Sequence, residues 1–347
     1  MNKSAENIIV GISIGDLNGI GSEVVLKTFE DSRMLEFCTP VIFANVRIVS
    51  FLKKSFESTS SIQGIDKLDQ IVLGKINVYN LWREGVDLNL GANDDKVGEY
   101  AVKSFVAATK ALKEGIVDVL VTAPINKYNI QSEDFKFPGH TDYLAQELEG
   151  DALMLMVNDS LRVGLLTDHV PINEVAKHLT EALIVKKIET IKQSLIKDFS
   201  INTPKIAVLG LNPHCGDGGV IGSEDETLLK PTIKKLFDKG TMVFGPFSAD
   251  SFFGSNQYEK YDAIIAAYHD QGLIPFKTLS FGRGVNYTAG LDKIRTSPDH
   301  GTAYDIAGKN QADFTSFKEA VYLALDIYKS RIQHQEVVLN PLKTKEK

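Results

Sequence analysis

The chain has 347 residues, of which 43% are apolar, and its formal net charge at neutral pH is -7. This length exceeds what a single compact core usually holds, so we expect two domains. The acidic balance argues against a general nucleic-acid or membrane-surface partner, because both need a basic face. It still leaves room for a local basic pocket.

Several features predict the compartment. The two cysteines, Cys38 and Cys215, do not make a disulfide framework and fit a reducing environment. The N-terminal apolar run is not followed by a small-residue cleavage pattern. No apolar run approaches the roughly 18–20 residues needed to span a bilayer. We therefore expect a soluble cytoplasmic protein.

The first part of the chain alternates strand and helix patterns. Residues 97–112 carry apolar side chains at helical spacing, and residues 55–63 form a Ser/Thr-rich segment typical of an exposed loop. Such alternation predicts a parallel sheet in an α/β fold. Four segments have the composition of buried strands: 8–14, 40–45, 71–81 and 117–121.

A glycine-punctuated stretch, residues 15–24, follows the first predicted strand. Its spacing matches neither the G-x-G-x-x-G nor the G-x-x-x-x-G-K pattern of nucleotide-binding loops. A tight strand-to-helix turn is therefore favoured over a phosphate-binding loop.

The alternation continues through the second part of the chain. Helices are predicted over 172–198, 223–238 and 317–329. Three more segments have the composition of buried strands: 161–166, 205–211 and 262–267.

A His-Thr pair, His140 and Thr141, follows Gly139 at the start of a helical pattern. The free N–H groups and the positive dipole end of a helix N-terminus suit a phosphate. A capping role for the Thr141 hydroxyl would explain the pattern equally well. Both interpretations stay open.

Three histidines, His169, His214 and His269, each follow a predicted strand by a few residues. If these strands are parallel neighbours, the three imidazoles lie at one edge of the sheet. Catalytic zinc sites use three protein ligands, and imidazole suits Zn, Co, Ni or Fe. A lone histidine is more often structural, but three in one setting favour a metal site.

The segment 261–308 contains the apolar run 262–267, and many polar and titratable side chains come after this run. Beyond the run, the segment has few helix or strand signals. Ligands of parallel sheets sit beyond the carboxyl ends of strands. Lys277, Arg283 and Arg295 in this segment are either solvated surface charges or a pocket for a small phosphate or carboxylate.

Six motifs together resemble those of the 4-hydroxythreonine-4-phosphate dehydrogenase (PdxA) family, over about residues 9–313. They are GHT (139–141), LNPH (211–214), GPxxAD (245–250), YHDQGL (268–273), FGRGVN (281–286) and IRTSPDHGTA (294–303). The resemblance implies a two-domain α/β fold like that of isocitrate and isopropylmalate dehydrogenases, with an interdomain cleft. It also implies a homodimer whose metal site is shared between the subunits.

The resemblance also assigns site residues. The metal ligands would be His169, His214 and His269. The substrate contacts would be His140, Thr141, Lys277, Asn286 and Arg295. The segment 299–313 resembles the adenine-binding loop of decarboxylating hydroxyacid dehydrogenases, which makes His300, Gly301, Thr302, Ala303 and Asn310 the cofactor-binding candidates.

The implied reaction is oxidation of 4-phosphohydroxy-L-threonine by NAD or NADP, then decarboxylation to 3-amino-2-oxopropyl phosphate, in pyridoxal 5'-phosphate (vitamin B6) biosynthesis. One divalent ion, Zn, Co or Mg, would assist. Asp250, Asp270 and Lys277 are the candidates for the proton acceptor. We expect a discontinuous first domain of residues 1–135 plus 300–347, and a second domain of residues 136–299 that carries the metal and substrate residues.

Departures from the usual family motifs leave room for a related substrate, such as a phosphorylated threonate. None of them removes a predicted ligand. They are Leu17, Ser22, Asp142, Asp168, Cys215 and Asp217.

Three other functions stay open. A metal-dependent hydrolase or lyase of a phosphorylated small acid would use the same histidines without NAD. An acyl-phosphate transferase would share the fold but have no use for three metal-binding histidines. A non-catalytic binding protein fits least well with so many titratable groups after strands.

Overall fold

The computed structural model describes residues 7–339 of the chain and has an α/β fold, which confirms the predicted class. The strands are β1 (Ile8–Ser13), β2 (Cys38–Ala44), β3 (Ile62–Ile65), β4 (Ile76–Asn80), β5 (Val119–Thr122), β6 (Gly150–Val157), β7 (Arg162–Leu165), β8 (Ile206–Leu209), β9 (Val243–Phe247), β10 (Ala263–Ala266), β11 (Val285–Leu291) and β12 (Arg295–Pro298).

Helices connect most of these strands. They are α1 (Gly21–Thr28), α2 (Met34–Phe37), α3 (Val46–Ser55), α4 (Asp95–Lys113), α5 (His140–Glu147), α6 (Val175–His178), α7 (Glu181–Lys197), α8 (Lys230–Asp238), α9 (Ala249–Gly254), α10 (His269–Ser280) and α11 (Thr315–Leu339). A π-helical turn, Asp225–Leu229, precedes α8. No helix within residues 7–339 is both long enough and apolar enough to cross a membrane.

The chain forms two compact units. The first unit runs to Ala152 and takes in Gly282–Leu325, and the second comprises Leu153–Phe281 and the chain from Asp326 onward. Both units are discontinuous. Compared with the expected division, residues 136–152 and 282–299 lie in the first unit and residues 326–339 lie in the second. Arg295, Asn286 and His140 therefore belong to the first unit, whereas the three histidines predicted to bind metal belong to the second.

In the first unit the strand order is β3-β4-β2-β1-β5-β12-β11. Neighbouring strands are parallel except β11 and β12, which pair in antiparallel fashion. A buried cluster around Phe43, Phe105 and Leu120 packs α4 against the sheet. This core fixes the carboxyl end of β5 next to β12, where polar residues of the candidate site begin.

In the second unit the strand order is β6-β7-β10-β8-β9. β7, β10 and β8 are parallel neighbours, and β6 pairs with β7 in antiparallel fashion. Val163, Ile264 and Phe276 are fully buried and belong to the core of this unit. The three strands that precede the predicted metal ligands are therefore adjacent and point the same way.

The prediction of few regular elements between Lys277 and Arg295 was wrong. Lys277 lies on α10, and Arg295 begins β12 after the intervening strand β11. The signals were hidden because α10 contains Pro275, which normally interrupts a helix, and the segment before β11 is glycine-rich. Burial of Phe276 within the second unit helps to hold the interrupted helix in place.

Gly98 on α4 allows a close backbone approach that organises the first unit. A Cβ atom built at Gly98 would lie 2.0 Å from the carbonyl oxygen of Asn129. The amide Nδ2 of Asn129 donates to Oδ2 of Asp16 at 2.8 Å, and the Tyr304 hydroxyl donates to the same oxygen at 2.7 Å. The absence of a side chain at position 98 thus allows Asn129 to reach the fully buried Asp16.

We predict that Gly98→Ala destabilises the protein, although Gly→Ala within a helix is ordinarily stabilising by about 0.5–1 kcal/mol. The new methyl group must displace backbone, which costs about 1–3 kcal/mol in a well-packed site. Gly254→Ala on α9 is the control, since a Cβ atom placed there would meet nothing within 4 Å. In urea denaturation, the midpoint concentration should be lower than that of the wild-type protein only for Gly98→Ala. Equal midpoints for the two variants would contradict the close approach.

Candidate functional site

In the glycine-rich turn after β1, several backbone amides have partners inside the protein, and the preference for a structural turn over a phosphate-binding loop stays a prediction. The Asp16 amide donates to the Pro124 carbonyl at 2.9 Å, and the Ile20 amide donates to the Thr302 carbonyl at 3.0 Å. The Asn18 amide donates to Oδ1 of Asp16 at 2.9 Å. Because these buried amides are already paired inside the protein, they are not free to bind a phosphate.

The three histidines lie beyond the carboxyl ends of the adjacent strands β7, β8 and β10. The rings of His169 and His269 have their centroids 5.7 Å apart. Nδ1 of His269 lies 2.8 Å from Oδ1 of Asp270. A carboxylate in this position orients an imidazole and leaves its Nε2 atom for a metal.

Two side chains tie these strand ends together. The Thr167 hydroxyl donates to the Ala267 carbonyl at 2.7 Å, which joins the end of β7 to the end of β10. The side-chain amide of Gln271 accepts from the Ala267 N–H through Oε1 at 2.7 Å and donates to the Gly210 carbonyl through Nε2 at 2.6 Å. These two hydrogen bonds join β10 to β8. This strand-end ladder (Thr167, Ala267, Gln271 and Gly210) fixes the spacing of the loops that carry the histidines.

His214 lies in an unusual backbone. Residues 214–218 all have positive φ angles, including the non-glycine residues His214, Cys215 and Asp217. Left-handed backbone at non-glycine positions is strained and concentrates at functional sites. The loop is anchored by the buried carboxylate of Asp225, which accepts from the Leu211 amide at 2.8 Å and from the Asn212 amide at 3.0 Å.

Within residues 7–339, no group of three or more His, Cys, Asp or Glu side chains is arranged to hold a metal ion. The donor chemistry of His169 and His269 nevertheless fits a divalent metal, since imidazole nitrogens at adjacent strand ends are suitable ligands. The ligand set predicted from the sequence, with His214 as third member, stays a prediction.

The three candidates for the proton acceptor differ in environment. Asp250 is exposed on α9, and a hydrogen bond from the Ser248 hydroxyl, at 2.6 Å, lowers the pKa of its carboxyl group. Its carboxylate is a weaker base for that reason. Asp270 is exposed and contacts His269, and Lys277 lies on the exposed side of α10.

In the first unit, Arg295 is a buried cation, with only 2% of its surface exposed. Its Nε and Nη2 atoms donate to the Thr122 hydroxyl at 3.0 and 2.6 Å, and Nη1 donates to the Thr288 hydroxyl at 3.2 Å. No carboxylate within residues 7–339 forms an ion pair with it. Burial lowers the pKa of Arg295 to about 9. A buried guanidinium without a counter-charge is ready to bind an anion.

His140 lies against Arg295, with 3.0 Å between its Nδ1 atom and Nη2 of Arg295. Its ring also packs edge-on against Phe105, with 4.5 Å between ring centroids. Burial, and then the charges of Arg295 and Lys127, hold the pKa of His140 well below its usual 6.5. The Nε2 atom of this neutral imidazole is buried and has no hydrogen-bond partner in the part of the chain that the structure describes.

The start of α5 adds further free donors. Gly139 is the N-cap residue, and no side chain caps the helix. Thr141 lies inside the first turn, so the capping interpretation of its hydroxyl was wrong. Asn286 on β11 has a buried Oδ1 atom without a partner, and it shares its strand face with Thr288 because the two are two residues apart.

The cofactor candidates lie in the segment 300–310, in which Ala303 has a left-handed backbone with a φ angle of 43°. Nε2 of His300 is buried without a partner, while its Nδ1 atom lies 3.1 Å from the Gly301 carbonyl oxygen. The amide of Asn310 donates to the Phe56 carbonyl at 3.2 Å, so this side chain already has a structural contact. The assignment of these residues to NAD stays a prediction.

Comparison with known proteins decides the family. A family model described as "Pyridoxal phosphate biosynthetic protein PdxA" matches residues 36–324. The chain belongs to the PdxA family. It is 43% identical, over 97% of this chain and 93% of the relative, to a 4-hydroxythreonine-4-phosphate dehydrogenase of Bacteroides thetaiotaomicron. A Clostridium botulinum relative provisionally named D-threonate 4-phosphate dehydrogenase is 34% identical, over 91% of this chain and 96% of the relative.

Solved structures agree with this family assignment. The crystal structure of a 4-hydroxythreonine-4-phosphate dehydrogenase from Klebsiella pneumoniae has a TM-score of 0.80 and 31% identity to this chain. It covers 94% of this chain and 99% of its own. The PdxA fold therefore extends over nearly the whole chain.

Sequence reasoning missed the residues whose hydrogen bonds hold the PdxA motif residues and their loops in place. Gln271 was visible within YHDQGL but was assigned no role, and Thr122 directly follows the predicted strand 117–121 without any special context. Thr288 and Asp225 likewise carry no motif signal. Their roles depend on contacts with residues far away in the sequence, which no local pattern records.

We predict that Gln271→Leu lowers the free energy of unfolding by about 1–3 kcal/mol, because it leaves the Ala267 N–H and the Gly210 carbonyl without their partner. Gln257→Leu is the control, since the side-chain amide of Gln257 donates to the nearby Ser255 hydroxyl, at 3.2 Å, and does not join two strand ends. Hydrogen exchange of the Ala267 amide should quicken only in Gln271→Leu. Unchanged exchange there, together with unchanged stability, would rule out the strand-end ladder.

Proposed function

We propose that this protein oxidises 4-phosphohydroxy-L-threonine with NAD or NADP and decarboxylates the product to 3-amino-2-oxopropyl phosphate, as a step in pyridoxal 5'-phosphate biosynthesis. Membership of the PdxA family supports the reaction class. The observation that supports the substrate class is the buried guanidinium of Arg295, which lies beside the neutral His140 and has no carboxylate partner within residues 7–339. A small phosphorylated acid supplies the anion that this pair lacks.

Residues of the first unit would hold an anionic group of the substrate. Arg295 provides the positive charge, and Nε2 of His140 and the free amides at the start of α5 provide hydrogen bonds. Asn286 has an unpaired Oδ1 atom that suits a donor on the substrate, such as its hydroxyl or ammonium group. Fixing both ends of a small molecule in this way orients its carbinol carbon for reaction.

The oxidation removes a hydride from the carbinol carbon and a proton from its hydroxyl group. A bound nicotinamide cofactor would supply the hydride acceptor, and Asp250, Asp270 and Lys277 are the candidates for the residue that takes the proton. The resulting β-keto carboxylate loses CO2 as its C–C bond breaks, and the enolate that remains gains a proton from water at its carbon atom. These steps balance with NAD(P)+ as the single oxidant.

A divalent ion of Zn, Co or Mg would be held by His169, His214 and His269. When bound, such an ion supplies Lewis-acid stabilisation to oxygen atoms that gain negative charge. We propose that the protein acts as a homodimer in which two subunits complete the ligand set. Asp270 would keep His269 oriented with Nε2 free, and the strand-end ladder would keep the loops of the three histidines at a fixed spacing.

A related substrate is the second candidate. The Clostridium botulinum relative named for D-threonate 4-phosphate shows that a family member of comparable identity carries another substrate name. The two compounds differ at the second carbon, where one has an ammonium group and the other a hydroxyl group. The departures from the family motifs, such as Leu17, allow either substrate.

The substrate assignment is tested by following nicotinamide reduction with each compound and with NAD and NADP in turn. We expect the ratio kcat/KM to be at least about tenfold higher for 4-phosphohydroxy-L-threonine, since one mismatched polar group costs about 1.4 kcal/mol or more. A preference for the threonate would replace the first candidate by the second. Product formation without nicotinamide reduction would indicate a hydrolase or lyase instead.

The metal assignment is tested with His214→Asn, because asparagine tolerates the left-handed backbone but is not an imidazole ligand. We expect this variant to bind less Co²⁺ in equilibrium dialysis and to lose turnover. His178→Asn, at the exposed end of α6, should keep both properties. Normal Co²⁺ binding by His214→Asn would remove His214 from the ligand set.

A further inference from the structure

The contacts of Arg295 extend the proposed function to a residue with no assigned role. We propose that Thr122, the last residue of β5, is a positioning residue for anion binding. Its hydroxyl fixes the guanidinium of Arg295, and the guanidinium in turn fixes His140 as the tautomer that carries hydrogen on Nε2. This proposal rests on the proposed function only for the identity of the substrate.

The first step is the position of the guanidinium. Arg295 is paired with Leu120 in the parallel register of β12 and β5, and Thr122 lies two residues further along on the same face. From there a single hydroxyl oxygen accepts both the Nε and the Nη2 hydrogen bonds. Thr288 on β11 holds the other side through Nη1. A flexible side chain thereby has one orientation in the buried interior.

The second step is the tautomer of His140. A guanidinium has only donors, so its Nη2 atom, 3.0 Å from Nδ1 of His140, requires Nδ1 to be an acceptor. A neutral ring with an unprotonated Nδ1 carries its hydrogen on Nε2. The charge of Arg295 opposes protonation of the ring, which keeps this neutral form dominant.

The third step is the direction of the remaining donor. Nε2 of His140 is buried and has no partner among residues 7–339. A buried N–H without an acceptor costs free energy unless a ligand satisfies it. The acceptor that fits beside a fixed positive charge and an uncapped helix start is an oxygen of a phosphate or carboxylate group. Thr122 therefore determines, through two other residues, how this donor is presented.

The substitution Thr122→Val keeps the shape of the side chain and removes the hydroxyl. Two donors of Arg295 then lose their acceptor, and we expect the guanidinium to turn away from His140. The affinity for inorganic phosphate, measured by calorimetry on the full chain, should fall about ten- to hundredfold, the range for a lost hydrogen bond to a charged group. Thr122→Ser restores the hydroxyl and should recover most of the affinity.

Thr109→Val is the matched control. Thr109 on α4 is buried in the same unit, and its hydroxyl has no hydrogen-bond partner among the residues that the structure describes. The same chemical change there removes no contact, so phosphate affinity should stay at the wild-type value. A general effect of burying valine in this unit would appear in both variants.

The tautomer is measured directly by nitrogen NMR of the imidazole, with His140→Gln used to assign the signal. The wild-type protein should show hydrogen on Nε2, and Thr122→Val should show a mixture with the other tautomer. Hydrogen on Nδ1 in the wild-type protein overturns the proposal even if Thr122→Val does not fold. Unchanged tautomer and phosphate affinity in a folded Thr122→Val protein overturn it as well.

Kinetics separate this inference from the proposed function. In Thr122→Val the KM for the phosphorylated substrate should rise, while the KM for the nicotinamide cofactor stays close to its wild-type value. If the wild-type protein does not turn over 4-phosphohydroxy-L-threonine at all, the proposed function fails. The tautomer and the phosphate affinity still decide the role of Thr122 in that case.

Discussion

The first unit depends on a positive charge that is buried without a negative partner. Arg295 lies in the interior between β5 and β11, and uncharged hydroxyl groups and an imidazole satisfy its hydrogen bonds. Replacing such a group with an apolar side chain would usually make a protein more stable. Its presence therefore indicates a ligand that carries the missing charge, and His140 and the start of α5 are arranged around the same need.

The second unit meets a different constraint, which is to hold three separate loops at a fixed spacing. The strands β7, β10 and β8 set the loops side by side, and Thr167 and Gln271 continue the hydrogen bonding past the point where the strands end. Asp225 then fixes the strained loop of His214 through two backbone amides. Regular structure brings the histidines to one edge, and side-chain contacts determine how they are presented.

Much of this could be predicted from the sequence. Apolar runs of strand length indicated β1, β7, β8 and β10, because burial on both faces of a parallel sheet requires such runs. The strand-end position of His169, His214 and His269 followed from those runs, and the motif set identified the PdxA family.

The sequence by itself determined the fold class, the family and the residue types available for chemistry, because these depend on local composition and spacing. Tertiary structure decided which of those residues share an environment. Pairing of β5 with β12 brings Thr122 to Arg295, which lies 173 positions away along the chain. The protonation state of His140 likewise depends on burial and on charges from distant segments. Local patterns contain no record of such contacts, since they form only when the chain folds.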